Sequence, residues 1–351
     1  MFELPDGVEF VLGVDSHRDT LEVAALTIGG RVVARVEVPT TAAGYRAAVA
    51  FADAHAPGVR AWAVEGTGCY AADLTRRLHA AGETVGEVDL PARPARRNGA
   101  KNDQIDAVRA ARQVLATGRA SEPRADGDLA ALAVLLAAQR SAAQATTATI
   151  NELHALVVRL PDERRSLVRR QRNLAFARAV LEHLPESDPD PAVIVALRVA
   201  RRLARRALDL DAEAAEHTRD IDTLTQRLVP GLRAVRGVGP LVAAQVLATW
   251  SHPGRIRNEA AFAMLAGTAP LDASSGQQQR HRLNRRGDRQ LNRAIHTIML
   301  ARLRWDAATR AYLDKPGTSR TRREAKRLLK RYITRELWRC LNSGRAFQPA
   351  P

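Results

Sequence analysis

What constrains this chain most is the order in which its N-terminal third changes periodicity. Val8 to Val14 is a dense apolar run that ends in Asp15. Thr20 to Ile28 is a second β-rich run, and Gly29-Gly30 supplies a hairpin turn into a third, Arg31 to Val38. Thr40 to Ala54 is alanine-rich with helical spacing, and Val59 to Val64 is a short buried-strand pattern ending in Glu65. Tyr70 to Ala81 then reads as a helix closed by Gly82, Thr84 to Leu90 as a strand, and Asn102 to Ala116 as a helix. The predicted order is β-β-β-α-β-α-β-α, with a hairpin meander first.

That is the order of an α/β ribonuclease-H-like domain, expected here over residues 1–125, with its first and fourth strands as neighbours. Beyond it the character changes. From Asp128 to about Val229 the chain is rich in Ala, Leu, Arg and Glu, carries no glycine, and breaks at Pro161 and between Pro185 and Pro191. Three long helices are predicted, forming a coiled-coil dimerisation region over residues 126–229. Its apolar stripe is Leu129, Leu132, Leu136, Ile150, Leu153, Leu156 and Val157. Residues 230–351 are expected to form a mostly α-helical C-terminal domain, interrupted by a glycine- and serine-rich loop at Gly267 to Gln279.

Four carboxylates fall at telling places. Asp15 closes the first predicted strand, in Gly13-Val14-Asp15-Ser16-His17, and Glu65 closes the fourth, in Ala63-Val64-Glu65-Gly66-Thr67-Gly68. Asp103 and Asp106 stand three apart in Lys101-Asn102-Asp103-Gln104-Ile105-Asp106-Ala107 and share a helix face. In the expected fold all four meet. Carboxylates so grouped repel one another unless cations neutralise them. Two hard cations do so, and the same ions activate a nucleophile and stabilise a leaving oxygen at phosphorus. Magnesium, with manganese as its substitute, is the expected cofactor. Taken singly, each acid is also ordinary: Asp15 and Glu65 as solvent-facing strand ends, Asp103 as a first-turn acid behind an Asn102 cap.

Further on, Ala234 to Ala244 has the pattern of a helix-hairpin-helix element. Gly237 and Gly239 let the backbone approach a phosphate, and the following helix N-terminus presents free amides to it. A plain helix-loop-helix turn reads the same way. Arg280, Arg282, Arg285, Arg286, Arg289 and Arg293 follow, opposed only by Asp288, a density that suits a nucleic-acid phosphate backbone. Arg322 to Ile333 is a further basic helix.

The 351 residues hold 54 Lys and Arg against 38 Asp and Glu, a net charge of +16. Such a balance points to a polyanion, nucleic acid before anionic membrane. GC-rich codon usage explains arginine over lysine, but not cations over anions. Cys69 and Cys340 fit neither a disulfide framework nor a zinc motif. The apolar run from Leu129 to Ala138 is too short to span a bilayer, and Met1 to Glu9 lacks a signal-peptide pattern. The expectation is a soluble, cytoplasmic, nucleoid-associated protein with no membrane partner.

Gly13 to Asp15, Val64 to Gly68 and Lys101 to Ala107 resemble the three signatures of the DEDD transposases of the "one-ten" insertion-sequence family. The nuclease domain of that family is similar to the Holliday-junction resolvase RuvC. Gln104 stands where Arg or Ala is usual and leaves both aspartates in place. Phe262 to Pro270 and Ser274-Ser275-Gly276 resemble the family's second domain, which carries a Ser-Gly dipeptide in this loop. The resemblance runs from Gly13 to about Leu341 and is least specific in the central helices. It implies that Asp15, Glu65, Asp103 and Asp106 hold the metal and that Ser275, or its neighbour Ser274, is the nucleophile. It further implies recombination of an element's DNA with target DNA, guided by a structured RNA, by homodimers that pair into tetramers. Without the family, the carboxylates also suit a junction resolvase or structure-selective nuclease using water. The basic C-terminal region alone also suits a non-catalytic nucleic-acid-binding protein.

Overall fold

A computed structural model describes residues 2–88, 103–124, 126–273, 281–285, 287–314 and 321–343, with backbone only at 103–105. By packing, the chain forms two compact units, one of Met1–Asp126 with Trp250–Leu265, the other of Gly127–Thr249 with Ala266–Pro351. Composition suggests three consecutive segments instead. Composition follows chain order, whereas packing follows contacts, and here a late segment packs with the N-terminal one.

The first unit opens with a two-residue strand, β1 (Phe2–Glu3), followed by the meander β2 (Phe10–Ser16), β3 (Thr20–Thr27) and β4 (Val32–Pro39). Then come α1 (Ala42–His55), β5 (Arg60–Glu65), α2 (Ala72–Ala80), β6 (Thr84–Val88), α3 (Asp103–Thr117) and β7 (Arg119–Ala120). The main sheet has the order β4-β3-β2-β5-β6, antiparallel through the meander and parallel from β2 to β5 to β6. The order expected from the sequence is therefore present, and β2 and β5 are neighbours. β1 and β7, which pair with each other, escape a sequence reading because two residues are too short to show a period.

Both faces of the sheet are covered, so the central strands are apolar on both sides. Leu12, Val14, Leu21, Val23, Trp62 and Val64 share a core with Tyr45 and Ala48 of α1 and Leu74 and Leu78 of α2. The alternate residues Val11, Ala24, Leu26, Ala61 and Ala63 pack with Ala107, Val108, Ala110, Ala111 and Val114 of α3. The segment Trp250–Leu265 is tied in by a buried ion pair, Arg255 Nη2 to Glu87 Oε2 at 2.7 Å, and by His252 Nε2 at 2.9 Å from Glu122 Oε2.

The second unit begins with α4 (Asp128–Val157), α5 (Asp162–Ser166), α6 (Asn173–His183) and α7 (Pro191–Leu228). Two helices are long, not three: α4 has 30 residues and α7 has 38, while α6 has 11. Asn173 in the left-handed region at φ 52° and the proline-rich approach to α7 keep α6 short. The expected stripe on α4 is buried except for the half-buried Leu156. Ile150, Leu153 and Val157 share a core with Phe176 and Val180 of α6 and Leu197, Ala200 and Ala204 of α7. That seam is filled from within the chain, so the stripe is no argument for a partner chain.

The chain continues through α8 (Pro230–Ala234), α9 (Pro240–Trp250), α10 (Glu259–Leu265), the two-stranded β8 (Leu271–Asp272) and β9 (His281–Arg282), α11 (Arg289–Trp305), α12 (Ala307–Leu313) and α13 (Arg322–Leu341). The expected glycine- and serine-rich loop thus springs from a short hairpin, with Leu271 opposite Arg282 and Asp272 opposite His281. α13 opens with a capping box between Thr321 and Glu324. Among the described residues no helix is long and apolar enough to cross a membrane.

One polar cluster fastens the start of β5 to the residue that precedes β6. Glu83 accepts from Arg60 Nε at 3.1 Å and from Trp62 Nε1 at 2.8 Å, and the Arg60 and Glu83 side chains are each 12% exposed. The bond to Glu83 raises the Arg60 pKa above its ordinary value against the opposing effect of burial. Glu83→Ala strands the buried Trp62 N–H and leaves Arg60 with Asp53 and the Ala56 carbonyl alone, and it should lower stability by about 3 kcal/mol, read as an earlier first transition in urea. An unchanged midpoint would show that water replaces the carboxylate at no cost.

Candidate active site

The strands set up a row of acids. Asp15 lies on the α3 side of β2, in alternation with Val11 and Gly13, and is 7% exposed. The parallel register pairs Val14 with Val64, so Glu65 stands level with Asp15 on the neighbouring strand. On the other side the antiparallel register pairs Asp15 directly with Glu22, which is 6% exposed. Paired residues on adjacent strands hold their Cβ atoms about 5 Å apart, and like charges so placed repel. His17 Nε2 lies 3.3 Å from Asp15 Oδ2. Sequence reasoning misses both Glu22 and His17. A signal for Glu22 exists, an acid in step with Ala24 and Leu26 inside an apolar run, but its meaning depends on register.

The turn after Glu65 is built by Gly66, whose φ of 74° is left-handed. A Cβ there would come within 2.9 Å of both Ser16 Oγ and Cys69 Sγ. Ser16 Oγ in turn donates to the Glu65 carbonyl at 3.0 Å, tying the ends of β2 and β5 together. The next residue, Thr67, is buried, and its hydroxyl has no hydrogen-bond partner among the described residues.

α3 reaches the row through Gly13. A Cβ on Gly13 would lie 1.9 Å from the Ala107 carbonyl oxygen, so helix backbone rests on strand backbone. Asp106 adjoins Ala107, and Asp103 precedes it by one turn. The Asp106 carboxylate is held by Arg109 Nη1 at 2.6 Å. The side chain of Asp103 lies outside the described residues. Among the described side chains, no three acids, histidines or cysteines stand close enough to hold a metal ion.

Polar bonds hold the elements that flank the serine segment in sequence. Ser274, Ser275, Arg280 and Arg286 lie outside the described residues. Asn292 Nδ2 donates to the carbonyls of Ala266 at 2.7 Å and Gly267 at 3.3 Å, while Lys330 Nζ donates to Asn292 Oδ1 at 2.6 Å. Arg327 Nη1 donates to the His281 carbonyl at 3.3 Å. Burial lowers the Lys330 pKa; burial first, then Lys330 and Lys326, lowers that of His296. Asn292 and Lys330 also escape sequence reasoning, since their partners are backbone and amide groups on other elements. Arg282, Arg285, Arg289 and Arg293 are exposed. Asp288 caps α11, accepting from the amides of Gln290 and Leu291.

The two glycines of the hairpin pattern differ. Gly237 has φ 85°, and a Cβ on it would come 3.2 Å from the Ile298 carbonyl oxygen. Gly239 has ordinary backbone, and a Cβ on it would meet nothing within 4 Å among the described residues. Packing explains the first glycine and not the second.

A family model described as "Transposase IS116/IS110/IS902 family" matches residues 230–314, and a second, for the DEDD transposases of IS110, matches residues 12–160. The chain belongs to the IS110 family of transposases. The DEDD domain of this family implies the ribonuclease-H-like fold, in keeping with the sheet order above. A protein of Pseudomonas aeruginosa named "Probable family 20 transposase" is 30% identical over 152 residues. That similarity spans 41% of this chain and 42% of the relative, well under half of either. The DEDD segment contains all four carboxylates, and the segment over residues 230–314 contains both glycines, the serines and the six arginines.

The Gly13 contact gives a sharp test. Gly13→Ala should push α3 off the sheet and cost about 3 kcal/mol or more, seen as a lower thermal midpoint by circular dichroism. Gly239→Ala, with free space around it, serves as the neutral control. Equal midpoints for the two variants would mean that α3 is not seated on Gly13.

Proposed function

We propose that this protein is a transposase that cuts and rejoins the DNA of an insertion element and its target, with divalent cations held by Asp15, Glu65, Asp103 and Asp106. One observation carries the reading: Asp15 and Glu22 are buried directly opposite each other, beside Glu65, on the face that α3 crosses. Opposed buried carboxylates raise the cost of folding unless a cation is drawn between them. The Thr67 hydroxyl beside Glu65, buried and without a hydrogen-bond partner among the described residues, adds a further group that a ligand would satisfy. An all-oxygen donor set suits a hard cation, magnesium or manganese. When bound, such ions supply polarisation of the scissile phosphate and stabilisation of the departing oxygen. Asp106 would exchange Arg109 for this role, leaving the guanidinium to face a phosphate.

Ser275, or its neighbour Ser274, is the proposed nucleophile. Its Oγ bonds to phosphorus as the phosphorus–oxygen bond to the departing sugar breaks. The serine proton passes to a base and the departing oxygen takes one up. The diester survives as a phosphoserine link, so the reverse attack by a new sugar hydroxyl rejoins DNA without ATP. The exposed Arg282, Arg285, Arg289 and Arg293, with Arg280 and Arg286, would hold phosphates. Gly239, with no packing reason to lack a side chain, is the place for close approach of the backbone to one. A structured guide RNA and dimers pairing into tetramers follow from the family resemblance, and the +16 charge favours a nucleic-acid partner of either kind.

A nicked element-end duplex with magnesium, resolved on a denaturing gel, tests this. The expected product is a covalent protein–DNA adduct mapped by mass spectrometry to Ser275 and lost in Ser275→Ala. Asp15→Asn should lower adduct formation about a hundredfold or more while DNA binding persists. Free ends without adduct would make water the nucleophile, as in a resolvase; a mobility shift alone would make the chain a binder.

A further inference from the structure

In the second unit α4, α9 and α11 enclose a groove of about 660 Å³. Its floor is apolar, with Leu136, Leu241, Val242 and Ala294. Its rim is rich in carboxamides, among them Gln139, Gln144 and Asn151 of α4 and Gln290 of α11, with Arg140 and Arg293 as cations. No Asp or Glu is among the described residues that line it. Part of the rim is fixed in advance. Arg140 Nη2 donates to Gln245 Oε1 at 2.9 Å, and Gln245 Nε2 donates to Thr249 Oγ1 at 3.1 Å. Thr249 Oγ1 donates at 3.3 Å to Asp288, the cap of α11, so one chain of bonds joins all three helices.

We infer that this groove receives a nucleotide of single-stranded DNA. The inference rests on the proposed DNA chemistry and adds a site that the carboxylates, the serine segment and the hairpin glycines do not supply. Carboxamides donate and accept together, as base edges require, and guanidinium groups meet the phosphate. An apolar floor takes the face of a base. The volume falls within the range of about 300–1,000 Å³ typical of pockets for small ligands, too small for a helix of about 10 Å diameter from a partner protein. Duplex DNA is read by elements that project into its grooves, whereas a hollow accepts a base that has left the stack. The adjoining hollow across α4, of about 500 Å³, is lined in part by Asp211 and lacks this charge match.

The test is fluorescence anisotropy with labelled oligothymidine on the full chain. Gln144 and Asn151 are exposed, so Gln144→Glu and Asn151→Asp change charge in the groove without disturbing the core. Gln226→Glu, exposed on α7 and lining neither hollow, makes the same charge change elsewhere. Each groove variant should weaken binding about tenfold and Gln226→Glu less than twofold. In parallel, oligothymidine carrying 4-thiothymidine should crosslink to peptides of α4, α9 or α11. If the wild-type chain binds oligothymidine and groove and control variants match, the groove inference fails and the transposase reading stands. If the wild-type chain binds no oligothymidine, the groove inference fails as well, and the transposase reading is decided separately by the adduct on the nicked element-end duplex. Tenfold tighter binding of oligouridine would overturn the assignment to DNA in favour of RNA.

Discussion

The first unit depends on a contact between two backbones. Gly13 removes the one carbon that would keep α3 away from β2, and the Ala107 carbonyl takes its place. Close packing of a helix on a sheet ordinarily leaves room for a layer of side chains, which places helix-borne groups far from strand-borne ones. Here that layer is missing at one point. The backbone of α3 just after Asp106 is therefore seated on β2 two residues before Asp15. A glycine two residues before an acid is thus part of the same construction as the acid.

Much of this is legible in the amino-acid order, and for a physical reason. Apolar runs that end in an acid mark buried strands and their exits, and Asp15 and Glu65 are found that way. Glu22 is not, because its importance comes from facing Asp15, and register between strands is not written in either strand alone. The same blindness touches the helices. Helical spacing identifies an apolar stripe but not its cover, and on α4 that cover is α7 of the same chain. Asn292 and Lys330 matter through a carbonyl and an amide oxygen, partners that leave no pattern in sequence.

The two family segments give the chain its chemistry in pieces that lie far apart in sequence. The N-terminal piece brings buried acids at facing positions, and the C-terminal piece brings exposed arginines, the serine segment and a glycine that packing does not require. Such a division of charge is what a protein acting on a phosphodiester needs. On the proposed reading, the anionic groups would draw in cations where bonds are made and broken, while the cationic groups would hold the polyanion in place.

The late segment of the first unit has a consequence during synthesis. Glu87 leaves the ribosome early, but Arg255, its buried partner, is encoded after the whole of α4 to α9. At roughly 5–20 residues per second, the stretch between Asp126 and Leu265 takes about 7 to 30 seconds to emerge. For that interval the nascent N-terminal unit holds a carboxylate whose closest guanidinium has not yet been made. A chain truncated at its first boundary lacks that partner permanently and keeps only Arg124, 4.0 Å from Glu87 Oε1.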